Sequence, residues 1–331
     1  VKWISPVTRI ARIKSLAKIN LDLRVLAKRP DGFHDLRTVF QTVSLADEIT
    51  IEFERARRRE VSIEDPKAIP DNLILRAAHA LLDQMNIAAR VRFKLEKHIP
   101  MGGGLGGGSS NAAAVLLALP VLAGKIVPLE RLLQMANEFG SDVPFFVLGG
   151  TQLGLGRGGE LYPQPDVHLQ PILLVTPDIH VATGAAYVAL GRGLTFTSLS
   201  SSINNFQAFV RSLDEGRDAV AASALSVNDF ETVVFRQHPQ LRKIAARLRT
   251  VSPGVRMSGS GSTIFALFES EEDRERAVCK LDKDRVFKGC RVMKAKLVSR
   301  RGYQRLWRRQ LKEHLVPSKD DIWPPRSRYA R

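Results

Sequence analysis

Cysteine is nearly absent: Cys279 and Cys290 are the only two, and nothing around them has the spacing of metal ligands. Two thiols make no disulfide framework, which excludes a cross-linked secreted scaffold and leaves a reduced compartment, the cytoplasm, as the expectation. Long apolar runs are missing as well. No stretch approaches the roughly 20 apolar residues that span a bilayer. The first residues, Val1-Lys2-Trp3-Ile4-Ser5-Pro6, are basic with no apolar run behind them, so neither a membrane partner nor a secretory signal is expected. Acid is in short supply. Fifty Lys and Arg against 34 Asp and Glu leave a net charge of +16, which points to an anionic partner without saying which. Part of the excess lies at the end, where residues 300–331 hold ten basic and three acidic side chains, and Arg55, Arg57, Arg58 and Arg59 form a second cluster. Both clusters read either as solvated surface or as a contact with nucleic acid; the first is the expectation.

What is present is a chain of 331 residues, 44% hydrophobic and 25% charged, the composition of a globular protein with room for two domains. Its centre of gravity is Pro100-Met101-Gly102-Gly103-Gly104-Leu105-Gly106-Gly107-Gly108-Ser109-Ser110-Asn111, six glycines within seven residues followed by hydroxyls and by the helix formers Ala112 to Leu119. Glycine accepts positive φ and lets a ligand approach the backbone. A helix start pointing unpaired N–H groups at one spot, with its dipole favouring negative charge, cradles phosphate. The Walker loop needs Lys and Ser/Thr after its last glycine, and here Ser109 follows Gly108. Gly102-x-Gly104-x-x-Gly107 matches the dinucleotide pattern, but the segment before it, Val91-Arg92-Phe93-Lys94-Leu95-Glu96, alternates as a half-exposed antiparallel strand does. A flexible linker would not be bracketed by a strand and an apolar helix.

In chain order, residues 10–28 predict a strand with Lys18, Asn20, Asp22 and Arg24 on its polar face. Arg29-Pro30-Asp31-Gly32 has turn chemistry, and strands are expected over 36–44 and 49–54. Asn72 opens an amphipathic helix, then come the strand 90–97, the glycine loop and its helix, and a helix from about Pro128 to Asn137. Strands followed by helices, mostly antiparallel, predict an α+β layer in two domains, with boundaries near 155 and 298 and a basic tail over 299–331. Beyond 155 a strand over 169–175, a helix over 183–190, a loop over 194–205, three helices within 206–249, a turn feeding the strand up to Phe268, an acidic helix over 271–282 and a strand over 290–298 are expected.

Three pieces together carry a family resemblance. Leu16-Ala17-Lys18-Ile19-Asn20, Pro100 to Ala114 and Gly259-Ser260-Gly261-Ser262-Thr263 are similar, in this order, to the three motifs of the GHMP kinase superfamily. Asp31-Gly32-Phe33-His34, Gly140-Ser141-Asp142-Val143-Pro144 and Val227-Asn228-Asp229-Phe230-Glu231 resemble the branch that phosphorylates a cytidine-diphosphate-linked methylerythritol in isoprenoid synthesis. The chain departs from the pattern at Leu16, where proline is usual, at Phe33, where tyrosine is usual, and by one extra residue before the serines.

The resemblance implies a two-domain fold with the active site in the cleft between the domains, ATP and Mg²⁺ as cofactors, and a small cytidine-diphosphate substrate. It implies that Asp142 takes the proton of the substrate hydroxyl and Lys18 keeps that carboxylate ionised. ATP would meet Asn72 and the loop from Pro100 to Ser110. Asn20, Phe33, His34, Tyr187, Gly259 and Ser260 would hold the other substrate, its cytosine stacked on aromatic faces. No metal ligand can be named. Taken alone, Asp142 is also a helix cap ahead of Pro144, Lys18 a solvated strand residue, Ser109 and Ser110 plain capping residues, and His34 a turn histidine. Another GHMP kinase, for homoserine or mevalonate, remains a second reading, and an RNA-binding protein of related layering a third. Oligomeric state stays open between monomer and weak homodimer.

Overall fold

The computed structural model describes residues 7–168, 170–191, 200–214, 219–317 and 322–330. The chain opens with a long antiparallel hairpin, β1 (Arg9–Lys28) and β2 (His34–Arg55). Its turn is built as the residues demand: Gly32 has φ of 83°, and the Asp31 carboxylate accepts the Phe33 N–H at 3.1 Å. Two strands expected within 36–54 are in fact one. Between them, Leu45-Ala46-Asp47-Glu48 contains no glycine or proline, and Asp47 does not form a local turn. Its carboxylate accepts instead from the N–H groups of His98 and Ile99, each at 2.8 Å, and from Lys97.

After β3 (Glu60–Glu64) come α1 (Leu73–Gln84), β4 (Ala89–Glu96), α2 (Gly107–Ala123), α3 (Leu129–Phe139), α4 (Val143–Leu148), β5 (Thr151–Gly156) and β6 (Glu160–Pro163). The strands form one sheet in the order β3-β4-β2-β5-β6, with β1 also paired to β2. Every pairing is antiparallel except β3 with β4. The division expected at residue 155 falls inside the β5–β6 hairpin, which belongs to this sheet. The four helices pack against one face, and α2, apolar on all sides, is the centre of that core.

The second sheet, β10-β7-β9-β8, is fully antiparallel. In chain order it is built from β7 (Pro171–Thr176), α5 (Thr183–Leu190), α6 (Ser200–Asp214), α7 (Ala219–Ala222), α8 (Phe230–Gln237), α9 (Pro239–Leu248), β8 (Gly254–Met257), β9 (Ile264–Leu267), α10 (Glu271–Leu281) and β10 (Arg291–Lys296). The loop expected over 194–205 is corrected in its second half, where α6 begins at Ser200; residues 194–199, and Leu169 of the expected strand, lie outside the described residues.

Strand β1 joins the two cores. Ala11 and Ile13 face the first; a bulge between Leu16 and Ala17 shifts the parity, and Ala17, Ile19 and Leu21 then face the second. The polar face expected to be wet is therefore enclosed. Lys18, Asn20, Asp22 and Arg24 are all buried. Asp22 and Arg24 pair through two bonds of 3.0 and 3.1 Å, and burial still pushes the Asp22 carboxyl above its ordinary value despite the guanidinium.

The basic tail is not a tail. After Ser299, whose hydroxyl caps the helix, α11 (Arg300–Leu311) returns to the first core and buries Tyr303, Trp307 and Leu311 there, at the i, i+4, i+8 spacing of one helix face. Its arginines 301, 305 and 309 are exposed. If the segment is part of the fold, Trp307→Ala should lower the unfolding free energy by about 3–5 kcal/mol in urea titration; a loss under about 1 kcal/mol would return it to the status of a solvated appendage.

Candidate active site

The glycine loop turns through alternating positive φ at Gly102, Gly104 and Gly106, of 67°, 74° and 70°. Gly106 itself occupies the cap of α2, so the helix starts two residues before the serines that were expected to cap it. The N–H groups of Gly107, Gly108 and Ser109 sit in the first turn, where no preceding helical carbonyl can accept them. That turn carries no acid, so nothing in it repels an anion. Ser110 is buried and its hydroxyl donates to the Leu16 carbonyl at 2.6 Å, which ties α2 to β1. Ser109 is half-buried and Met101 exposed.

Two of these glycines are required by close approach. A Cβ on Gly104 would lie 2.0 Å from the Ser258 carbonyl oxygen, and one on Gly106 would lie 2.8 Å from the Phe146 ring and 3.2 Å from Lys18 Cγ. The loop thus rests on the second unit at one glycine and on α4 and β1 at the other.

Lys18 lies between the first two of the three register shifts of β1, and its backbone N–H donates to Leu105 O at 3.0 Å, so the strand is stapled to the loop. Its ammonium donates to Asn20 Oδ1 at 2.8 Å and stands 3.4 Å from Asp142 Oδ2. Asn20 passes the chain on, donating to Thr38 Oγ1 at 2.7 Å, which donates to the Asp22 carbonyl at 2.7 Å. Asp142 occupies the cap position of α4 but makes no capping bond; its side chain is 35% exposed while that of Lys18 is 4% exposed. A buried cation whose neighbours are an amide oxygen and a half-open carboxylate at the end of an anion loop is an arrangement suited to proton and phosphoryl transfer.

The loop between β8 and β9 closes this site from the second unit. Ser258 donates to the Gly104 carbonyl at 2.8 Å, Thr263 N–H donates to the Gly103 carbonyl at 3.2 Å, and Gly259 has φ of 58° beside Gly104 and Asn20. Ser260 shares a hydrogen bond of 2.8 Å with Thr183, and Asn228 holds the loop from behind through the carbonyls of Met257 and Gly259 at 2.6 and 2.8 Å. Nothing in the sequence marks Thr183 or Asn228 as a site residue. Asn228 lies within Val227-Asn228-Asp229-Phe230-Glu231, and only the partners of its amide reveal what it does.

The aromatic residues are placed differently from one another. His34 stacks on Tyr187 with centroids 4.7 Å apart and planes at 19°, and Phe230 meets Tyr187 edge-on. Phe33 is 49% exposed, with the Arg157 guanidinium 3.5 Å over its ring. Burial, and to a lesser degree the Asp142 charge, push the Tyr187 phenol up to about 12, so it stays a neutral donor; burial and then Lys28 lower the His34 imidazole, which favours its neutral form. Asn72 sits at the start of α1, its amide oxygen accepting the Ile74 N–H and its amide nitrogen donating to Asp65, each at 3.1 Å. The structure gives its side chain the work of a helix cap.

Residues 72–150 match the GHMP kinases N terminal domain and residues 204–286 the GHMP kinases C terminal. A 4-diphosphocytidyl-2-C-methyl-D-erythritol kinase of Solibacter usitatus (strain Ellin6076) is 49% identical over 327 residues, 97% of this chain and 98% of that protein. The chain belongs to the GHMP kinases, in the family of the 4-diphosphocytidyl-2-C-methyl-D-erythritol kinases. A relative of the same description from Geobacter metallireducens is 38% identical over 80% of this chain and 92% of its own. A solved 4-(cytidine 5'-diphospho)-2C-methyl-D-erythritol kinase is 34% identical with a TM-score of 0.70 over 86% of this chain and 98% of the other. Homoserine kinase from Cytophaga hutchinsonii, 18% identical with a TM-score of 0.69 over 90% of this chain and 98% of its own, shares the fold.

As a GHMP kinase the protein takes its phosphoryl group from ATP. The close contact at Gly104 then makes a sharp prediction. Gly104→Ala, at positive φ and against a carbonyl, should push the two loops apart and lower kcat/KM by at least about tenfold, with weaker ATP binding by calorimetry; unchanged binding and turnover would show that the contact does not shape the site.

Proposed function

We propose that the enzyme transfers the γ-phosphoryl group of ATP to the 2-hydroxyl of 4-diphosphocytidyl-2-C-methyl-D-erythritol, a step in isoprenoid precursor synthesis. The observation that carries the mechanism is the 3.4 Å approach of Lys18 Nζ to Asp142 Oδ2 beside the glycine loop. Asp142, open to the cleft on one side, accepts the proton of the attacking hydroxyl. Lys18, 3.4 Å from that carboxylate, orients it and faces the charge that develops on the transferred group. First-turn N–H groups of α2 and the helix dipole hold the nucleotide phosphates.

Mg²⁺ fits this site as an ion carried by the nucleotide. Among the described residues no cluster of three or more His, Cys, Asp or Glu is arranged to cage a metal, and Ser110 is buried, which leaves half-buried Ser109 as the more accessible hydroxyl. Magnesium commonly keeps waters and one or two protein ligands while binding phosphate oxygens, whose charge it neutralises.

For the cytidine group, His34 and Tyr187 supply a flat stack and an imidazole that burial biases toward its neutral form, while Phe33 is exposed under Arg157. Tyr187 feels the Asp142 charge, so the aromatic stack and the carboxylate lie within electrostatic reach of each other. No helix among the described residues is long and apolar enough to cross a membrane, and Cys279 and Cys290 are free thiols, in keeping with a cytoplasmic enzyme.

Asp142→Asn and Lys18→Ala should each lower kcat by roughly 10²–10⁴-fold while ATP still binds; near-wild-type turnover in either variant would end the assignment. His34→Ala should raise the KM for the cytidine substrate several times more than the KM for ATP, and equal effects would remove it from the base pocket. ATP with Mg²⁺ and CDP at about a hundredfold excess over Kd should each stabilise the fold by about 2.7 kcal/mol in thermal melts. CDP without effect would favour a kinase for a different alcohol.

A further inference from the structure

We propose that α11 and Trp323, from the C-terminal part of the chain, position Asp142 by holding the far end of α4. The inference rests on the catalytic role of Asp142 argued above. Helix α4 has six residues, too few to be stable by its own hydrogen bonds, and the carbonyls of its last turn have no partner within it. Each of three is met from outside the helix. Phe145 O accepts the Gly149 N–H at 2.8 Å, Phe146 O accepts the Tyr303 hydroxyl, and Val147 O accepts Trp323 Nε1 at 3.0 Å. Two of the three donors therefore come from a segment more than 150 residues away, beyond residue 286 where the matched GHMP kinases C terminal stops.

The fit is close enough to transmit a shift. A Cβ on Gly149 would lie 2.2 Å from the Tyr303 ring, and one on Gly150 would lie 2.7 Å from Arg300 Cβ, so the two glycines after α4 are seats for the first two anchors of α11. Arg300 ties the same corner from its other side, donating to Thr151 O and Gln164 O at 3.2 and 3.0 Å. Burial raises the Tyr303 phenol, which therefore remains a donor. The ring of the same Phe146 packs against Gly106 of the glycine loop, and at the start of the helix Asp142 faces Lys18. Tyr303 and Trp323 are thus positioning residues: they touch neither substrate nor nucleotide site, and they fix the register of the helix that presents the base.

Tyr303→Phe and Trp323→Phe remove one donor each; the first keeps its ring whole and the second keeps a smaller aromatic ring in its place. In the double variant, kcat per folded molecule should fall about tenfold, with KM for ATP and for the alcohol substrate within about twofold of wild type, because the base is displaced while the binding surfaces stand. Folded protein is counted by ATP-binding stoichiometry in calorimetry. A kcat per folded molecule within twofold of wild type would overturn the inference, as would a loss of activity that only mirrors a loss of folded protein. Asp142→Asn measured alongside separates the two readings. If it keeps turnover, the catalytic assignment has failed; if it loses turnover while the double variant keeps its own, only the positioning role has failed.

Discussion

Backbone against backbone at Gly104 and Ser258 is the contact on which the site depends. Only a residue without a side chain can bring the glycine loop of one unit so near a carbonyl of the other, and the 2.0 Å that a Cβ would leave shows how little slack remains. The bonds that follow from it, Ser258 to Gly104 O and Thr263 to Gly103 O, turn two loops into one wall. Lys18 is fastened to the same wall through Leu105, so the ammonium, the glycine loop and the β8–β9 loop share one frame. Pre-organisation of this kind is what phosphoryl transfer asks of a protein, since positioning and charge stabilisation supply most of its catalysis.

The frame is stiffened from behind in an unusual way. A six-residue helix begins directly after Asp142, the proposed base, and its position is set by apolar packing of Val143 through Val147 together with carbonyl partners drawn from the last thirty residues of the chain. The high positive charge of that segment and its buried face are separate properties of one amphipathic helix: arginines 301, 305 and 309 face water while Tyr303, Trp307 and Leu311 complete the core.

Much of the fold was legible because its signals are local. Asn72 capping α1, the glycine run opening α2, Ser270 and the acids starting α10, and the small-residue turn before β9 each announce their element within a few residues. Where the reading failed, the deciding partner was distant. Asp47 looks like a turn residue and is instead the acceptor for the chain at His98 and Ile99, which is why β2 runs on unbroken. The arginines of α11 outnumber its three anchors, so the composition reads as tail even though the i, i+4, i+8 spacing was there to be seen. Phe33 and His34 are neighbours in sequence, yet one lies under Arg157 at the surface and the other stacks on Tyr187.

By itself the sequence determined the kinds of chemistry available: a glycine loop ahead of a helix, one lysine and one aspartate in the right motifs, and an aromatic-histidine pair. Tertiary structure alone decided that these meet. The separation of 124 residues between Lys18 and Asp142 closes to 3.4 Å only because β1 is bulged, buried between two cores and bonded to the loop, and because α4 is gripped from the far end of the chain. Local propensity acts over a few residues, whereas burial of a charged strand face and satisfaction of a short helix's last carbonyls depend on what packs there, and no window of sequence contains that.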